Sequence, residues 1–558
     1  MLMGVRRYLC TEYGLFKSMF HIYSCGLTRI LNSQRIKLEG IMNRREQSAA
    51  LDVAKGASYI FAQDMAANIM TVVSFSILAR LLTPAEIGEI AVLLMVVGVS
   101  KVVTSLGIPR SVTKFIAENI AKNDPVAAAS VLYQAIRANL LLSLPVATAV
   151  FCLATPLSTW LLRAPDKAIL FQILAVDLIA GGLLPTLNSA MLGLQKIKEM
   201  SAINLVYVTV RQTLIVALTL AARSLVGLVI AWVISELLAT LVLLKYAQSK
   251  VGPPFFTFDL KRLIGFSFPL LLDDAANCVY IWFDQAALLT YLSLESLGVY
   301  STAVTAFRAL NSVTVAVGHS LLPTYSAIQG RREGRVLANS IREATRYLCL
   351  IGVPLGLGLF STSRASLALF VGEAYSEGSG PLMILSLFFA LTVTSTALVG
   401  LPVVLGETLL SLKLTSLSMI LGVASTLILL PWLGVVGASI ARGITWVTYL
   451  ATITIALRRR IRVDFDTEAL WKSLASGAVM AAAVLLIQAH YYSKYLLPAY
   501  VLLGGFIYLF MLLILRAIRT QDVQILNEYL GPRFSFLAHL LERLVRTTET
   551  KGCGPDIT

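Results

Sequence analysis

Of the charged side chains inside long apolar stretches of this 558-residue chain, eight have the clearest chemistry: Asp64, Lys101, Arg211, Glu236, Asp273, Asp274, Asp284 and Arg308. If those stretches cross a bilayer, a charge near the mid-plane costs about 2.5–3.5 kcal/mol on insertion scales. Each must then meet a partner, water or a ligand. Arg308 stands near the middle of its stretch with no acid within one helical turn. Arg308 and Lys101 have the chemistry to hold a phosphate, as charge partners and as hydrogen-bond donors. Lys101 lies nearer an end, so its ammonium can instead snorkel to the surface. Asp64, Asp273, Asp274 and Asp284 suit H⁺ or Na⁺, and hence the coupling of an ion gradient to a conformational change. The other reading is that they neutralise Arg308 and Lys101. Arg211 and Glu236, near the midpoints of consecutive stretches, read as a buried structural ion pair.

The neighbours of these charges add detail. Asp273 and Asp274 follow Pro269, whose missing N–H frees a carbonyl and permits a bend. Asp284 comes ten residues later, about 15 Å along a helix. Tyr280, Trp282 and Phe283 beside it can stack on a sugar face or simply pack. Arg442 is open to Glu407 or to a cavity, and Arg137 and Arg346, close to a boundary, read as snorkelling. No catalytic set stands beside these groups. There is no GxxxxGK[ST] phosphate loop, so ATP is not hydrolysed by that device. The six cysteines are scattered without a CxxC, which leaves metal and redox readings unsupported. Of four histidines only His490 approaches the outer face expected below.

The elements that must position these charges are membrane helices. The chain is 57% hydrophobic and 14% charged, against about 45–50% and 25% for a soluble domain. Stretches long enough to span fall near 57–80, 86–108, 135–157, 168–194, 201–222 and 225–246. Others fall near 263–291, 296–322, 344–366, 381–403, 408–430, 434–457, 470–490 and 495–517. The expected fold is an all-α polytopic membrane protein of about fourteen transmembrane helices. The surplus of 46 Lys and Arg over 31 Asp and Glu gathers in alternate loops. Arg110, Lys114, Lys122, Lys261, Arg331, Arg332 and Arg458–Arg460 share one side with the basic N-terminal segment. Positive-inside therefore places both termini in the cytoplasm, in a multi-pass protein of the cytoplasmic membrane. The net charge of +15 is topological, and nucleic acid is not needed as a partner.

The chain also repeats itself. Val226-Gly227-Leu228-Val229-Ile230-Ala231 recurs as Val436-Gly437-Ala438-Ser439-Ile440-Ala441, and Ile87-Gly88 recurs as Leu297-Gly298, both shifted by 210. Arg137 with Pro145 recurs as Arg346 with Pro354, shifted by 209. Six helices per unit give two parallel repeats about an axis normal to the membrane. The expected organisation is a basic segment 1–54, a first bundle 55–250, a second bundle 251–460, two further helices 461–517 and a cytoplasmic tail 518–558. Met42 reads as an alternative start, leaving 1–41 poorly ordered or untranslated. Leu526, Leu530, Phe534, Leu537, Leu541 and Leu544 mark an amphipathic helix, to lie on the membrane or dock on a loop.

The run Ala79-Arg80-Leu81-Leu82-Thr83-Pro84-Ala85-Glu86-Ile87-Gly88 resembles the polysaccharide-exporter branch of the multidrug/oligosaccharidyl-lipid/polysaccharide flippase superfamily. So do Leu106-Gly107-Ile108-Pro109, Gly193-Leu194-Gln195 and Val435 through Ala441, and the resemblance covers roughly 55–520. The family often has an aromatic before the first glycine, where this chain has Ile87. The resemblance implies two pseudo-symmetric six-helix bundles plus two C-terminal helices, with the first, second, seventh and eighth spans lining a central cavity. It also implies export of lipid-linked sugars. The expected function is to flip a polyprenyl-(pyro)phosphate-linked oligosaccharide across the membrane, coupled to H⁺ or Na⁺. Its partners would be that lipid-linked oligosaccharide, membrane lipids and glycosyltransferases of the same pathway. The alternatives are a cation-coupled multidrug exporter and an integral-membrane glycosyltransferase or polymerase. The twelve-span plan that the drug exporters resemble argues against the first. Short outer loops, with little room for catalytic groups, argue against the second.

Overall fold

Helix starts in this chain are written in local chemistry. Thr83 caps its helix reciprocally with Glu86 ahead of Pro84, and Asp124, Asp259 and Asp466 each accept a backbone N–H of the helix they precede. The computed structural model describes residues 44–519 and 522, apart from 254, 257, 331 and 332. The readings of 1–41 and of the amphipathic helix marked by Leu526 to Leu544 lie outside the described residues. By packing, the chain divides into Ile60–Tyr508 and its two flanks; all that follows concerns the former.

The main helices are α1 (Arg44–Leu81), α2 (Pro84–Ser105), α3 (Ile108–Ala121), α4 (Pro125–Cys152), α5 (Ala168–Gly193), α6 (Ile197–Ala222) and α7 (Leu225–Val251). After them come α8 (Leu260–Tyr291), α9 (Leu294–Gly330), α10 (Gly334–Phe370), α11 (Ser379–Thr392), α12 (Thr408–Arg458), α13 (Thr467–His490) and α14 (Leu497–Ile514). No strand occurs among the described residues. Helix α3 stands where the charge pattern suggested a loop. It is too short to cross a bilayer, and Ile108, Val112, Phe115 and Ile116 bury its apolar face in the first bundle.

Among the described residues eleven helices are long and apolar enough to span, or twelve with the bent α8, so length and hydropathy alone do not confirm the expected count of about fourteen. Two segments explain the difference. Helix α9 carries Arg308, Asn311 and many Ser and Thr residues, and is not among those counted. The 51-residue α12 is counted once, although it breaks at Gly434, with φ 57° and ψ −136°. Its two halves fold back on each other. A Cβ on Gly437 would collide with the Leu429 carbonyl, and one on Gly422 with the Thr445 hydroxyl, 23 residues on. A continuous helix of this length would measure about 76 Å, more than twice a bilayer core of about 30 Å.

The internal repeat is visible as geometry. Gly88 of α2 and Gly298 of α9 meet at the contact between the bundles. A Cβ on Gly88 would strike the Leu294 carbonyl, and one on Gly298 the Pro84 carbonyl. Both pairs of counterparts, 88 with 298 and 84 with 294, differ by 210, so the contact maps onto itself under the repeat. Small residues at such a crossing let two backbones approach, the main route to helix association where lipid offers no hydrophobic drive. Gly227 closes on the Leu218 carbonyl as Gly437 does on Leu429. Pro145 and Pro354 lie inside α4 and α10. The appended α13 and α14 pack on α10: Gln488 donates to the Ser361 carbonyl at 2.8 Å and Tyr508 to that of Leu350 at 3.1 Å. Arg346 of α10 does not snorkel. It is 1% exposed, with Nε 4.0 Å from Asp466, the residue that caps α13.

Candidate functional site

Inside the second bundle, α8, α9, α11, α12 and the turn Val393–Ala397 line an open cavity of about 470 Å³. Its larger polar groups are Asn277 and Tyr280 of α8, Arg308 and Asn311 of α9, and Arg442 of α12. Its aromatic wall is built on Trp446, which stacks on Phe307 with centroids 4.9 Å apart and donates its indole N–H to the Tyr280 hydroxyl at 2.8 Å. Phe389 meets Phe307 edge to face at 5.7 Å.

The two arginines of this cavity are in different electrostatic states. Arg442 is neutralised by Asp284, with Nε to Oδ2 at 2.8 Å and Nη2 to Oδ1 at 3.1 Å, and Nη2 also donates to the Ile281 carbonyl. Tyr300 donates its hydroxyl to the same carboxylate. Arg308 makes no ion pair within 4 Å among the described residues and lies over the Trp282 ring at 5.9 Å. Its side chain is exposed to the cavity. The cavity therefore carries one uncompensated positive charge beside amide, hydroxyl and aromatic surfaces. That set can bind a phosphate and a sugar together.

The first bundle gathers a second ionic group. Lys101 Nζ lies 2.7 Å from Glu236 Oε1, and Glu236 is 2% exposed. Arg211 donates to the Tyr207 hydroxyl at 2.6 Å and lies 5.6 Å from the centre of the Trp232 ring. Asp177 is buried beside them.

The bundles also touch at both ends. At one, Arg110 at the start of α3 grips both acids of α8, Asp273 at 2.7 Å and Asp274 at 2.5 Å. Ser111 and Ser267 hydroxyls meet there at 2.7 Å, and Lys114 sits 3.8 Å from the Phe266 ring centre. At the other, beside the Gly88–Gly298 crossing, Arg80 donates to the Leu369 carbonyl and Tyr375 to that of Leu82 at 2.9 Å.

This geometry changes several assignments. Lys101 does not join Arg308: it lies outside the second-bundle cavity and takes Glu236 as its partner. The Arg211–Glu236 ion pair is consequently not made, and Arg211 turns to Tyr207. Asp273 and Asp274 are held by Arg110, while Asp284 is held by Arg442 and Tyr300. Asp64 lies exposed on α1, accepting from Gln63 at 3.1 Å. Glu407 pairs with Arg460 and leaves Arg442 to the cavity. Tyr300, Asn277 and Asn311 carried no sequence signal beyond their polarity, Arg110 read only as a loop charge, and Asp177 could have been found as a charge inside the stretch 168–194. Only Arg442, directly after the second repeat motif and Ala441, stood at a marked position.

Known proteins share this architecture. The chain is 26% identical over 310 residues to the succinoglycan biosynthesis transport protein ExoT of Rhizobium meliloti (strain 1021), a match over 54% of this chain. It spans 59% of the length of that curated relative. The lipid II flippase MurJ in an inward closed conformation superposes with a TM-score of 0.68 at 12% identity, over 82% of this chain and 98% of that one. A mutant of the Vibrio cholerae MATE transporter VcmN gives 0.56 at 15% identity, over 74% and 98%. The eukaryotic MATE transporter AtDTX14 also gives 0.56, at 16% identity over 77% and 99%. At these identities the likeness to the solved structures is one of fold, and each of these proteins is by name a transporter or flippase. The family of polysaccharide biosynthesis proteins matches residues 77–379, just over half the chain, and the chain belongs to it.

Proposed function

We propose that this protein flips a polyprenyl-(pyro)phosphate-linked oligosaccharide from the cytoplasmic to the outer leaflet of the cytoplasmic membrane, with both its termini in the cytoplasm. The observation that carries the reading is the second-bundle cavity, where Arg308 is an unneutralised cation among amides and aromatic rings. A phosphate supplies the missing countercharge and accepts from the guanidinium fork. Asn277, Asn311 and Tyr280 offer the hydrogen bonds a sugar needs, and Trp446 a flat face. The lipid tail stays in the bilayer. Alternating access follows from rocking of the bundles, with the Arg110 clamp and the Gly88–Gly298 crossing as the contacts that open in turn. A gradient of H⁺ or Na⁺ drives the cycle. Export of cationic drugs fits less well, because a cavity with net positive charge repels them.

The test is translocation of a fluorescent lipid-linked oligosaccharide by the protein in liposomes. Transport should fall at least tenfold in Arg308→Ala and recover in part in Arg308→Lys, with expression unchanged. Glycosyl transfer without translocation, or full transport by Arg308→Ala, would refute the reading.

A further inference from the structure

Two acids of the first bundle occupy a buried site in which two carboxylate oxygens receive no donor. Asp177 of α5 and Glu236 of α7 are each 2% exposed, and their carboxyls face one another. Asp177 Oδ1 and Glu236 Oε2 have no hydrogen-bond partner. Among the described residues, the charged groups facing Asp177 are Glu236, Lys101 of α2 and Arg211 of α6. Both cations also serve other acceptors: Lys101 gives Nζ to Glu236 Oε1 at 2.7 Å, and Arg211 gives Nη1 to the Tyr207 hydroxyl at 2.6 Å. Helix α4 faces Gly182 of α5 with neutral groups, Asn139 and Ser143.

We propose that Asp177 and Glu236 form a proton-binding site in which two carboxyls share one proton, and that this proton is the coupling ion of transport. The coupling half rests on the flippase reading above; the protonation does not. Two carboxylates side by side in a dry place cannot both ionise cheaply. A proton on either one supplies a donor between the two carboxyls, whose Asp177 Oδ1 and Glu236 Oε2 otherwise receive none. Lys101, with 30% of its side chain exposed, gives the pair a border with accessible space. The proton enters from water as an O–H on one carboxyl and leaves to water on the other side of the cycle. Lys101, Arg211, Asp177 and Glu236 then alternate between net zero and one positive charge.

The site also abuts the second bundle. A Cβ on Gly181 would lie 2.8 Å from Glu236 Oε1 and 2.7 Å from Lys101 Cε, so α2 and α7 are seated directly on α5. One helical turn before Lys101, Gly98 packs on Trp282 of α8, its Cβ position 2.5 Å from the indole nitrogen. Arg308 lies over the same ring. A charge change at Lys101 therefore acts on a helix in contact with the wall that carries the phosphate-binding arginine.

The experiment is infrared difference spectroscopy of the full chain in liposomes across a pH titration, read at the carboxylic-acid C=O band. A protonated carboxyl should be present at neutral pH and be lost in both Asp177→Asn and Glu236→Gln, because either change leaves one carboxylate beside Lys101. Asp64→Asn should keep the band. A wild type without the band, or a band untouched by both substitutions, overturns the site. In the same liposomes an imposed pH gradient should accelerate flipping severalfold in the wild type and not in Asp177→Asn, with binding of the lipid-linked substrate retained. Loss of the band without any response of wild-type flipping to the gradient overturns the coupling and leaves the site standing. A protein that never flips but shows the band overturns the flippase reading alone.

Discussion

Replacing Asp284 by Asn strands Arg442 in the second bundle. The pair is nearly dry, with side chains 7% and 11% exposed, and is joined by contacts of 2.8 and 3.1 Å. Removing one partner of a buried ion pair costs about 3–5 kcal/mol, because the remaining charge is uncompensated. Tyr300 loses its charged acceptor at the same time. Removing both charges should cost much less, so Asp284→Asn with Arg442→Gln should recover about 2 kcal/mol or more of the loss. Reversible denaturant unfolding in detergent micelles, followed by circular dichroism, measures the four corners of that cycle. If Asp284 instead held the coupling ion, the single variant would keep its stability and lose only gradient-driven transport. A single cost below about 1 kcal/mol, or strict additivity in the double variant, would refute the structural role.

Other expectations concern the contacts between bundles. The Arg110 clamp is partly exposed, with side chains 49%, 31% and 25% accessible, so each arm is worth about 0–1 kcal/mol. Arg110→Ala should therefore shift the equilibrium toward opening at that end by about fivefold rather than abolish closure; spin-label distances between α3 and α8 would show it, and an unchanged distribution would sink the idea. Gly298→Ala should separate α2 from α9, because its Cβ collides with the Pro84 carbonyl. Gly505→Ala, with nothing within 4 Å, should gain about 0.5–1 kcal/mol from helix propensity. Equal thermal stabilities of the two glycine variants would contradict the crossing. Lys101→Met should leave Glu236 without its cation and impair stability more than Arg308→Ala does, since Arg308 has no ion-pair partner to strand; the reverse order in the same unfolding assay would refute the assignment of the two cations.

Some of this was decided along the chain. Helix-forming stretches, the caps at Thr83 and Asp466, the 210-residue repeat and the placement of Arg308 are local or periodic properties, and hydropathy reports them because a bilayer imposes one length and one polarity on each span. Helix α3 was hidden because its charges read as a loop, and its apolar face only gains meaning against the first bundle. Hydropathy also could not decide which acid each buried base would meet. Glu236 is nearer Arg211 in sequence, yet it pairs with Lys101, 135 residues away; Asp284 pairs with Arg442 across 158. Ion pairing acts over a few ångströms of space. Where two helices cross is set by the small residues that let them approach, as Gly88 and Gly298 do. The sequence alone thus determined that charges lie in the membrane and in which helices. The tertiary structure decided that Asp273, Asp274, Asp284 and Lys101 are held by partners, that Arg308 faces a cavity without an ion-pair partner among the described residues, and that Asp177 and Glu236 meet with one oxygen of each left without a donor.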